Sequence, residues 1–388
     1  MLAAAANLRL GVVQVGPVIE RIRADTGASS GLAGVLTTIP FICSSVFAFA
    51  GSGMVRHIGD VATMRLALLF VTAGTLARAA APTIDLMLAA TVVIGLGVAT
   101  LSVVLPSTVK LHFAERAGSV TGAYIASMSA FSALIAVVTV PLAEAFGDWR
   151  IALAAAAVPG LVALALWLRA PVQPPAPQLP EARKAHPRLR LVVTLALVYG
   201  LQSICFTTMT AWIAALYEDA GWPPGRAALA TASIPILSVV SALLVPVISR
   251  PTTRRNWILA AGLTMSASLI GMATIPTTGA PLWLLAFGLG CGAIFPLVMT
   301  LPLDMREAPD DVARLTAWML AFGFLIAAVG PAAAGALRDA TGAFTLPVLL
   351  LAGCAAAAGI LARSPLLDES RRTLLRFQPV PADADVDR

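Results

Sequence analysis

The chain has 388 residues, of which 59% are hydrophobic and 12% charged, with a formal net charge of +6 and a mean hydropathy of +0.88. Soluble domains usually carry about a quarter charged residues, so this composition excludes a water-soluble globular domain and favours a protein that faces lipid. The basic balance does not indicate a nucleic-acid partner either, because most arginines lie in short breaks between apolar runs and form no stripe interleaved with aromatic residues.

The apolar runs predict an all-α integral membrane protein with twelve transmembrane helices. A bilayer core of about 30 Å is crossed by about 20 apolar residues in a helix. Runs of that length cover residues 1–19, 33–55, 62–80, 83–109, 117–141, 149–169, 191–216, 227–249, 256–275, 281–303, 313–337 and 343–363. We do not expect the first run to be a signal peptide, because it has no basic leading region and Arg9 interrupts it. Four prolines inside these runs are expected to kink their helices: Pro40, Pro235, Pro296 and Pro331.

The two halves of the chain match each other when the first is shifted by 194 or 195 residues. The shift places Asp25, Gly27, Ile39, Pro40, Thr121, Leu142, Gly147 and Trp149 on Asp219, Gly221, Ile234, Pro235, Thr316, Leu337, Gly342 and Phe344. Each copy contains an even number of helices, so the copies are parallel and related by an axis along the membrane normal. The repeat predicts two pseudo-symmetric six-helix bundles, 1–169 and 191–363, with a linker at 170–190 and a tail at 364–388.

Lys and Arg are distributed unevenly between the alternate loops. One set of loops, together with the linker and the tail, holds 19 of these residues, and the other set holds six. The six are Arg21, Arg23, Arg78, Arg150, Arg226 and Arg338. Basic loops stay on the cytoplasmic side of a membrane, so both termini and the linker are predicted to be cytoplasmic.

No residue pattern indicates a metal site, a disulfide or an enzyme. The cysteines lie inside apolar runs without CxxC spacing, and the histidines fall in predicted loops, where solvation is the ordinary interpretation. These residues are Cys43, Cys205, Cys291, Cys354, His57, His112 and His186. The sequence has no serine elbow, HExxH, P-loop or paired intramembrane aspartates. We therefore expect no cofactor and no metal.

Arg9 is the most informative single residue, since it lies near the middle of the first apolar run. An arginine at the centre of a transmembrane helix costs about 2.5–3.5 kcal/mol on insertion scales, so it is expected to face a cavity or a partner rather than lipid. Every Asp and Glu falls in a loop, in the tail or at a helix end, which leaves the guanidinium to attract an anion or a strongly dipolar solute. The alternative is that Arg9 belongs to a shorter helix and reaches the cytoplasmic surface.

Further candidates for substrate contact follow from their positions. The repeat shift sets Gln202 and Ser203 at the depth of Arg9, and Thr207 continues the helix face of Ser203. Polar residues on one helix face can instead bind helices together, and packing is the alternative for the large aromatic residues. The full set of candidate substrate-binding residues is Arg9, Asn7, Gln202, Ser203, Thr207, Tyr124, Trp212 and Phe324.

Five short sequences resemble the cyanate transporter-like (CynX/NimT) family of the major facilitator superfamily. They are NLRLGVVQVGP at 7–17, VLPSTVK at 104–110, VPLAEAFGDWR at 140–150, GLQS at 200–203 with Trp212 following, and AAVGP at 327–331. The resemblance covers nearly the whole chain and implies a twelve-helix, cofactor-free secondary transporter of the bacterial inner membrane, in a family linked to cyanate and to nitroimidazole compounds. Leu10, Ser102, Thr207 and Phe324 depart from the family pattern, so the resemblance does not assign cyanate itself.

The sequence thus predicts a secondary transporter that moves a small anionic or polar organic solute, cyanate-like or nitroimidazole-like, by alternating access. Its expected partners are this solute and the lipid bilayer, with no nucleic acid, and the protein is expected to be a monomer. Within the superfamily the alternative is a proton-driven multidrug exporter, a class that commonly carries a membrane-embedded carboxylate. A membrane-embedded receptor or enzyme is the alternative of another class, but the sequence has neither a catalytic constellation nor a sizeable domain outside the membrane.

Overall fold

A computed structural model of the chain describes residues 1–47, 54, 57–113, 116–171, 189–249, 252–305, 309–365 and 367. Over these ranges the chain is helical and contains no β-strand. Most of the predicted linker and tail, and His186 with them, lie outside the described residues. The bounds of the two bundles remain a prediction.

The principal helices follow one another with short connections. They are α1 (Leu2–Val13), α2 (Ile19–Thr26), α3 (Ser30–Phe47), α4 (Asp60–Ala80), α5 (Ile84–His112), α6 (Ala117–Phe146), α7 (Trp149–Ala155), α8 (Val158–Leu168), α9 (Leu189–Asp219), α10 (Pro224–Ile248), α11 (Arg254–Thr274), α12 (Ala280–Met305), α13 (Pro309–Thr341) and α14 (Thr345–Leu361). A 3₁₀ turn, Gly16–Val18, connects α1 to α2.

The lengths and composition of these helices confirm the predicted transmembrane fold. Eleven segments of the described chain are long and apolar enough to cross a bilayer, with α1 and α2 forming one segment and α7 and α8 another. The twelfth apolar helix, α14, has 17 residues, which span about 25 Å at the rise of an α-helix. Large apolar side chains cover the outer surface: Leu69, Leu134, Leu243 and Val329 are 48% to 63% exposed. Such a surface requires lipid as its solvent.

The helix interruptions lie at prolines other than those expected to kink the helices. Four helices continue through Pro40, Pro235, Pro296 and Pro331. The first segment instead breaks ahead of Pro17, and the sixth breaks ahead of Pro159. A proline fits in the first turn of a helix because its missing N–H has no helical acceptor there, so each of these two prolines begins a new helical segment.

The helix ends repeat with the spacing found in the sequence. Gly27 and Gly147 end α2 and α6 in the left-handed conformation, with φ of 68° and 67°. The corresponding Gly221 and Gly342 have φ of 90° and 73°. Glycine is favoured at such helix ends because it has no β carbon. The helices α4 and α11 also match, since both contain 21 residues. These features agree with a duplicated six-helix unit.

Small residues allow α3 and α13, one from each predicted half, to pack closely along their lengths. A β carbon added at Gly34 would collide with the backbone of Pro331, and one added at Gly31 would lie 3.3 Å from the β carbon of Ala336. Towards the other end of the pair, Ser45 Oγ donates a hydrogen bond to a carbonyl of α13 at 2.6 Å. Close backbone approach of this kind is the usual basis of helix association in membranes.

Five charged side chains of both halves meet at one end of the bundle. They are Glu20, Arg23, Asp219, Arg338 and Asp339, and we call them the ion-pair cluster. Arg338 pairs with Glu20, and with Asp219 at 2.9 Å. Arg23 pairs with Glu20 at 2.7 Å and with Asp339 at 3.7 Å. Asp339 also accepts hydrogen bonds from two backbone N–H groups at the start of α3, at 2.9 and 3.1 Å. The cluster therefore joins the two halves at this end.

Candidate functional site

The guanidinium of Arg9 extends from α1 to α9 of the other half. Its Cζ atom lies 4.7 Å from the ring centroid of Phe206, within the range of a cation–π contact. Phe206 is near the middle of the 31-residue α9, which places the guanidinium at mid-depth in the bundle rather than at a membrane surface. Within the described part of the chain, no carboxylate forms a salt bridge with Arg9. The cation is half-buried, and an aromatic ring is its direct partner.

Buried polar side chains on α9 adjoin the guanidinium. Tyr199 lies within electrostatic range of Arg9, as does Cys291 on α12. Tyr199 lies near Ser203, one helical turn along α9, and the Gln202 amide donates to Ser203 Oγ at 2.6 Å. Helix α9 therefore presents a chain of polar groups that begins beside Arg9.

Four aromatic rings pack together at Tyr199. They are Phe41, Tyr199, Phe295 and Phe324, and we call them the aromatic cluster. The Tyr199 ring meets Phe324 edge-on at 5.6 Å and tilts against Phe295 at 6.2 Å, while Phe41 lies 6.1 Å from Phe324. The rings come from α3, α9, α12 and α13, so the cluster spans both predicted halves.

Two of the predicted site residues bind α9 to the neighbouring α13. Thr207 Oγ1 donates to the Ala327 carbonyl at 3.1 Å, and Trp212 Nε1 donates to the Pro331 carbonyl at 2.8 Å. Thr207 is 1% exposed and Trp212 is 2% exposed. These bonds are helix-to-helix contacts, and a role of either side chain in substrate contact stays a prediction.

Two other predicted site residues are held inside the first half. The Asn7 amide donates to the Ala3 carbonyl of its own helix at 2.8 Å, and Asn7 is 1% exposed. Tyr124 on α6 packs against an apolar cluster built from α1, α4, α5 and α8. For Asn7 and Tyr124 as well, substrate contact remains untested.

The structure brings four of the predicted residues together around Tyr199: Arg9, Gln202, Ser203 and Phe324. Sequence reasoning missed Tyr199 itself and Phe206. Tyr199 precedes Ser203 by one helical turn and Phe206 follows it by almost one turn, so all three share one helix face. Extending the polar stripe of Ser203 backwards by one turn would have found Tyr199.

The described residues offer a ligand electrostatic, polar and aromatic contacts. Among them, no group of three His, Cys, Asp or Glu side chains is placed to hold a metal ion. The four cysteines are free thiols. His112 pairs with Asp60 at 2.8 Å, at the end of α5 and the start of α4. The interacting groups at mid-depth are therefore the Arg9 cation, the polar chain on α9 and the aromatic cluster.

The sequence model of the Major Facilitator Superfamily matches residues 1–331. The chain belongs to this superfamily. It is 31% identical over 360 residues to the uncharacterized transporter YycB of Bacillus subtilis (strain 168), covering 89% of this chain and 87% of that protein. In Escherichia coli (strain K12), the cyanate transport protein CynX is 28% identical over 349 residues, covering 88% and 89% of the two chains. The 2-nitroimidazole transporter of the same organism is 29% identical over 356 residues, covering 90% of each.

Solved structures of superfamily members have the same fold. The inward open conformation of the xylose transporter XylE from Escherichia coli superposes with a TM-score of 0.75, covering 96% of this chain and 98% of that one at 13% identity. At this identity the likeness shows the fold alone. Membership of the superfamily makes this protein a multi-pass membrane transporter and not an enzyme. The predicted family and fold are thus confirmed.

Proposed function

We propose that this transporter moves a small anionic or polar organic solute, cyanate-like or nitroimidazole-like, across the bacterial inner membrane by alternating access. The observation that carries the proposal is the position of Arg9. Its guanidinium lies at mid-depth between the halves, against Phe206 and beside Tyr199, with no salt bridge to a carboxylate of the described chain.

A half-buried guanidinium in this position attracts negative charge strongly. Coulomb interactions are weakened much less in a protein interior than in water, so a cation without a carboxylate partner among the described residues favours an anionic or electron-rich solute. The planar guanidinium can donate two parallel hydrogen bonds to a pair of oxygen atoms. Gln202 and Ser203 add polar groups, and the aromatic cluster adds ring surfaces suited to a flat solute.

The names of two relatives are compatible with this chemistry. One is a cyanate transport protein and the other a 2-nitroimidazole transporter. Cyanate is a small anion, and 2-nitroimidazole is a flat ring that carries a polar nitro group. Both have electron-rich atoms that a guanidinium can bind, so both belong to the solute class proposed for this transporter.

The orientation in the membrane is part of the proposal. The excess of Lys and Arg in one set of loops supports cytoplasmic termini, and the end of the bundle that carries the ion-pair cluster then faces the outside. We also propose a monomer of two bundles, 1–169 and 191–363, in which each bundle supplies part of one central site.

Transport assays with a panel of solutes that differ in charge test the proposal. Purified protein in proteoliposomes would be assayed in both directions with cyanate, 2-nitroimidazole, nicotinate, nicotinamide and tetraphenylphosphonium. Nicotinate and nicotinamide share a ring and differ in charge, so we expect nicotinate to be preferred if either is moved. Movement of tetraphenylphosphonium, with none of the anionic or electron-rich solutes moved, would contradict the proposal and favour a multidrug exporter.

A further inference from the structure

A side chain of α4 takes over a hydrogen bond that α1 loses where it breaks. Helix α1 ends at Val13, and the Val15 N–H donates to the Val12 carbonyl at 3.3 Å. The Gly11 carbonyl, which would accept from Val15 in a continuous helix, therefore leaves the helical ladder. Arg78 Nη1 donates to this carbonyl at 2.8 Å. Arg78 thus replaces a backbone donor near the end of α1.

The burial of Arg78 is unusual for a side chain with one hydrogen bond. The count of basic residues places it in an outer loop, but the structure buries it fully in α4. Its Nε and Nη2 atoms have no hydrogen-bond partner in the described part of the chain. Gln14, three residues after Gly11, is fully buried as well, and its amide nitrogen and oxygen also have no hydrogen-bond partner in the described part of the chain. Unpartnered polar atoms are costly to bury, which indicates a role for Arg78 beyond filling space.

The break determines how closely the first segment approaches α9. Gly16 follows the break, and a β carbon added there would collide with the Thr210 carbonyl oxygen and lie 3.2 Å from that of Ala211. Arg9 lies on α1 two residues before Gly11 and contacts the same α9. Arg9 lies on α1 just before the break and Gly16 lies just after it, so a movement of the broken end of α1 also moves Arg9.

We infer that Arg78 is a positioning residue for the transport site. Its hydrogen bond to Gly11 holds the broken end of α1 and thereby keeps the Arg9 guanidinium against α9. Arg78 acts through α1 and does not touch the solute. The inference rests on the proposed role of Arg9 in binding the solute.

Arg65, on the same helix, provides a matched control. It donates to three carbonyls at the end of α8, at 2.6 to 3.3 Å. Arg65 and Arg78 therefore make the same kind of bond from opposite ends of α4. Only the bond of Arg78 reaches the helix that carries Arg9.

The experiment compares the full-length wild type with Arg78→Met, Arg78→Lys and Arg65→Met in detergent. Hydrogen–deuterium exchange of peptides covering residues 11–18 reports on the broken end of α1 without any ligand. Binding of cyanate and of 2-nitroimidazole, measured by calorimetry, reports on the site. The exchange measurement tests the inference even where the wild type binds neither probe, an outcome that would count against the proposed function alone.

We expect Arg78→Met to speed exchange in 11–18 and to weaken probe binding about tenfold, because the Gly11 carbonyl loses its donor. Arg78→Lys keeps the charge and one donor, so its exchange rate in 11–18 and its affinity for the probes should lie between those of Arg78→Met and the wild type. Arg65→Met should leave both at the wild-type level. Unchanged exchange in Arg78→Met, or equal effects of Arg78→Met and Arg65→Met, would overturn the inference. If Arg78→Met does not fold, Arg78→Gln, whose shorter side chain should not reach the Gly11 carbonyl, takes its place, and wild-type exchange in that variant would overturn the inference.

Discussion

The guanidinium of Arg9 lies over an aromatic ring without a carboxylate partner among the described residues, whereas those of Arg150 and Arg338 lie over rings and also meet carboxylates. A ring supplies a partner for the cation without neutralising it. The positive charge of Arg9 therefore remains available to a solute, and the protein is spared the cost of an unpartnered arginine at mid-depth. Phe206 is consequently expected to stabilise the empty site.

Replacing Phe206 with Leu should destabilise the protein by about 1–2 kcal/mol, because the Arg9 guanidinium loses its partner. Phe206→Tyr keeps the ring and should melt like the wild type. The control is Phe322→Leu, since Phe322 is 43% exposed and stacks on Trp318 at 5.5 Å, away from Arg9. Thermal melting in detergent measures these differences. Equal shifts for the two Leu variants would show that Phe206 contributes only apolar packing.

At the scale of single helices, most of the fold could be predicted because long apolar runs have one stable form in lipid. The residues at which the helices begin and end were harder to predict. Helix α9 covers Leu189–Asp219 rather than 191–216, and α13 covers Pro309–Thr341 rather than 313–337, since helices continue beyond the apolar core with polar residues. The break ahead of Pro17 was missed, although Gly16 and Pro17 mark it in the sequence, because the first apolar run predicts one continuous helix.

The contact between α3 and α13 leads to a prediction for Gly34. A β carbon at this position would collide with the Pro331 carbonyl, which belongs to the backbone and cannot rotate away. Gly34→Ala should therefore separate the two helices and lower stability by about 1–3 kcal/mol. Gly353→Ala on α14 is the control, because nothing lies within 4 Å of its added β carbon. A wild-type melting temperature for Gly34→Ala would contradict the close packing described here.

At the scale of the whole molecule, the sequence repeat predicted the duplicated architecture, but it gave no information on which helix faces meet. Helical spacing shows the depth of a residue and not the rotation of its helix in the bundle. This is why Gln202 and Ser203 could be predicted at the depth of Arg9, while the hydrogen bonds of Thr207 and Trp212 to α13 could not be predicted. The ion-pair cluster was missed for the same reason, since its members are distant in sequence.

The ion-pair cluster should hold the predicted outer end of the two halves together. Arg338→Gln removes the pairs with Glu20 and Asp219, so the two halves should separate there more often. Spin labels at Ala24→Cys and Ala340→Cys, with the four native cysteines replaced, would report this as longer distances by pulsed electron paramagnetic resonance. Arg150→Gln is the control, because Arg150 pairs with Asp25 within one half.

Individual ion pairs at this level of exposure contribute about 0–1 kcal/mol each. The ratio of molecules separated at this end to molecules closed there should therefore change by a few-fold rather than completely. High salt should also lengthen the distances between the spin labels in the wild type, because salt screens the ion pairs. Identical distance distributions for the wild type, Arg338→Gln and Arg150→Gln would mean that the ion-pair cluster does not control closure of this end.

The central claim is that Arg9 binds the solute, and one binding series tests it most directly. Purified wild type, Arg9→Lys and Arg9→Ala would be titrated at fixed pH with the solute that the transport panel identifies, with Arg226→Ala as a control. Arg226 also lies over a ring, that of Trp222 at 4.0 Å, but outside the site. We predict weaker binding for Arg9→Lys, which keeps the charge without the planar fork, no binding for Arg9→Ala, and wild-type binding for Arg226→Ala. Equal affinities for the wild type and both Arg9 variants would contradict the claim and make Arg9 a structural residue.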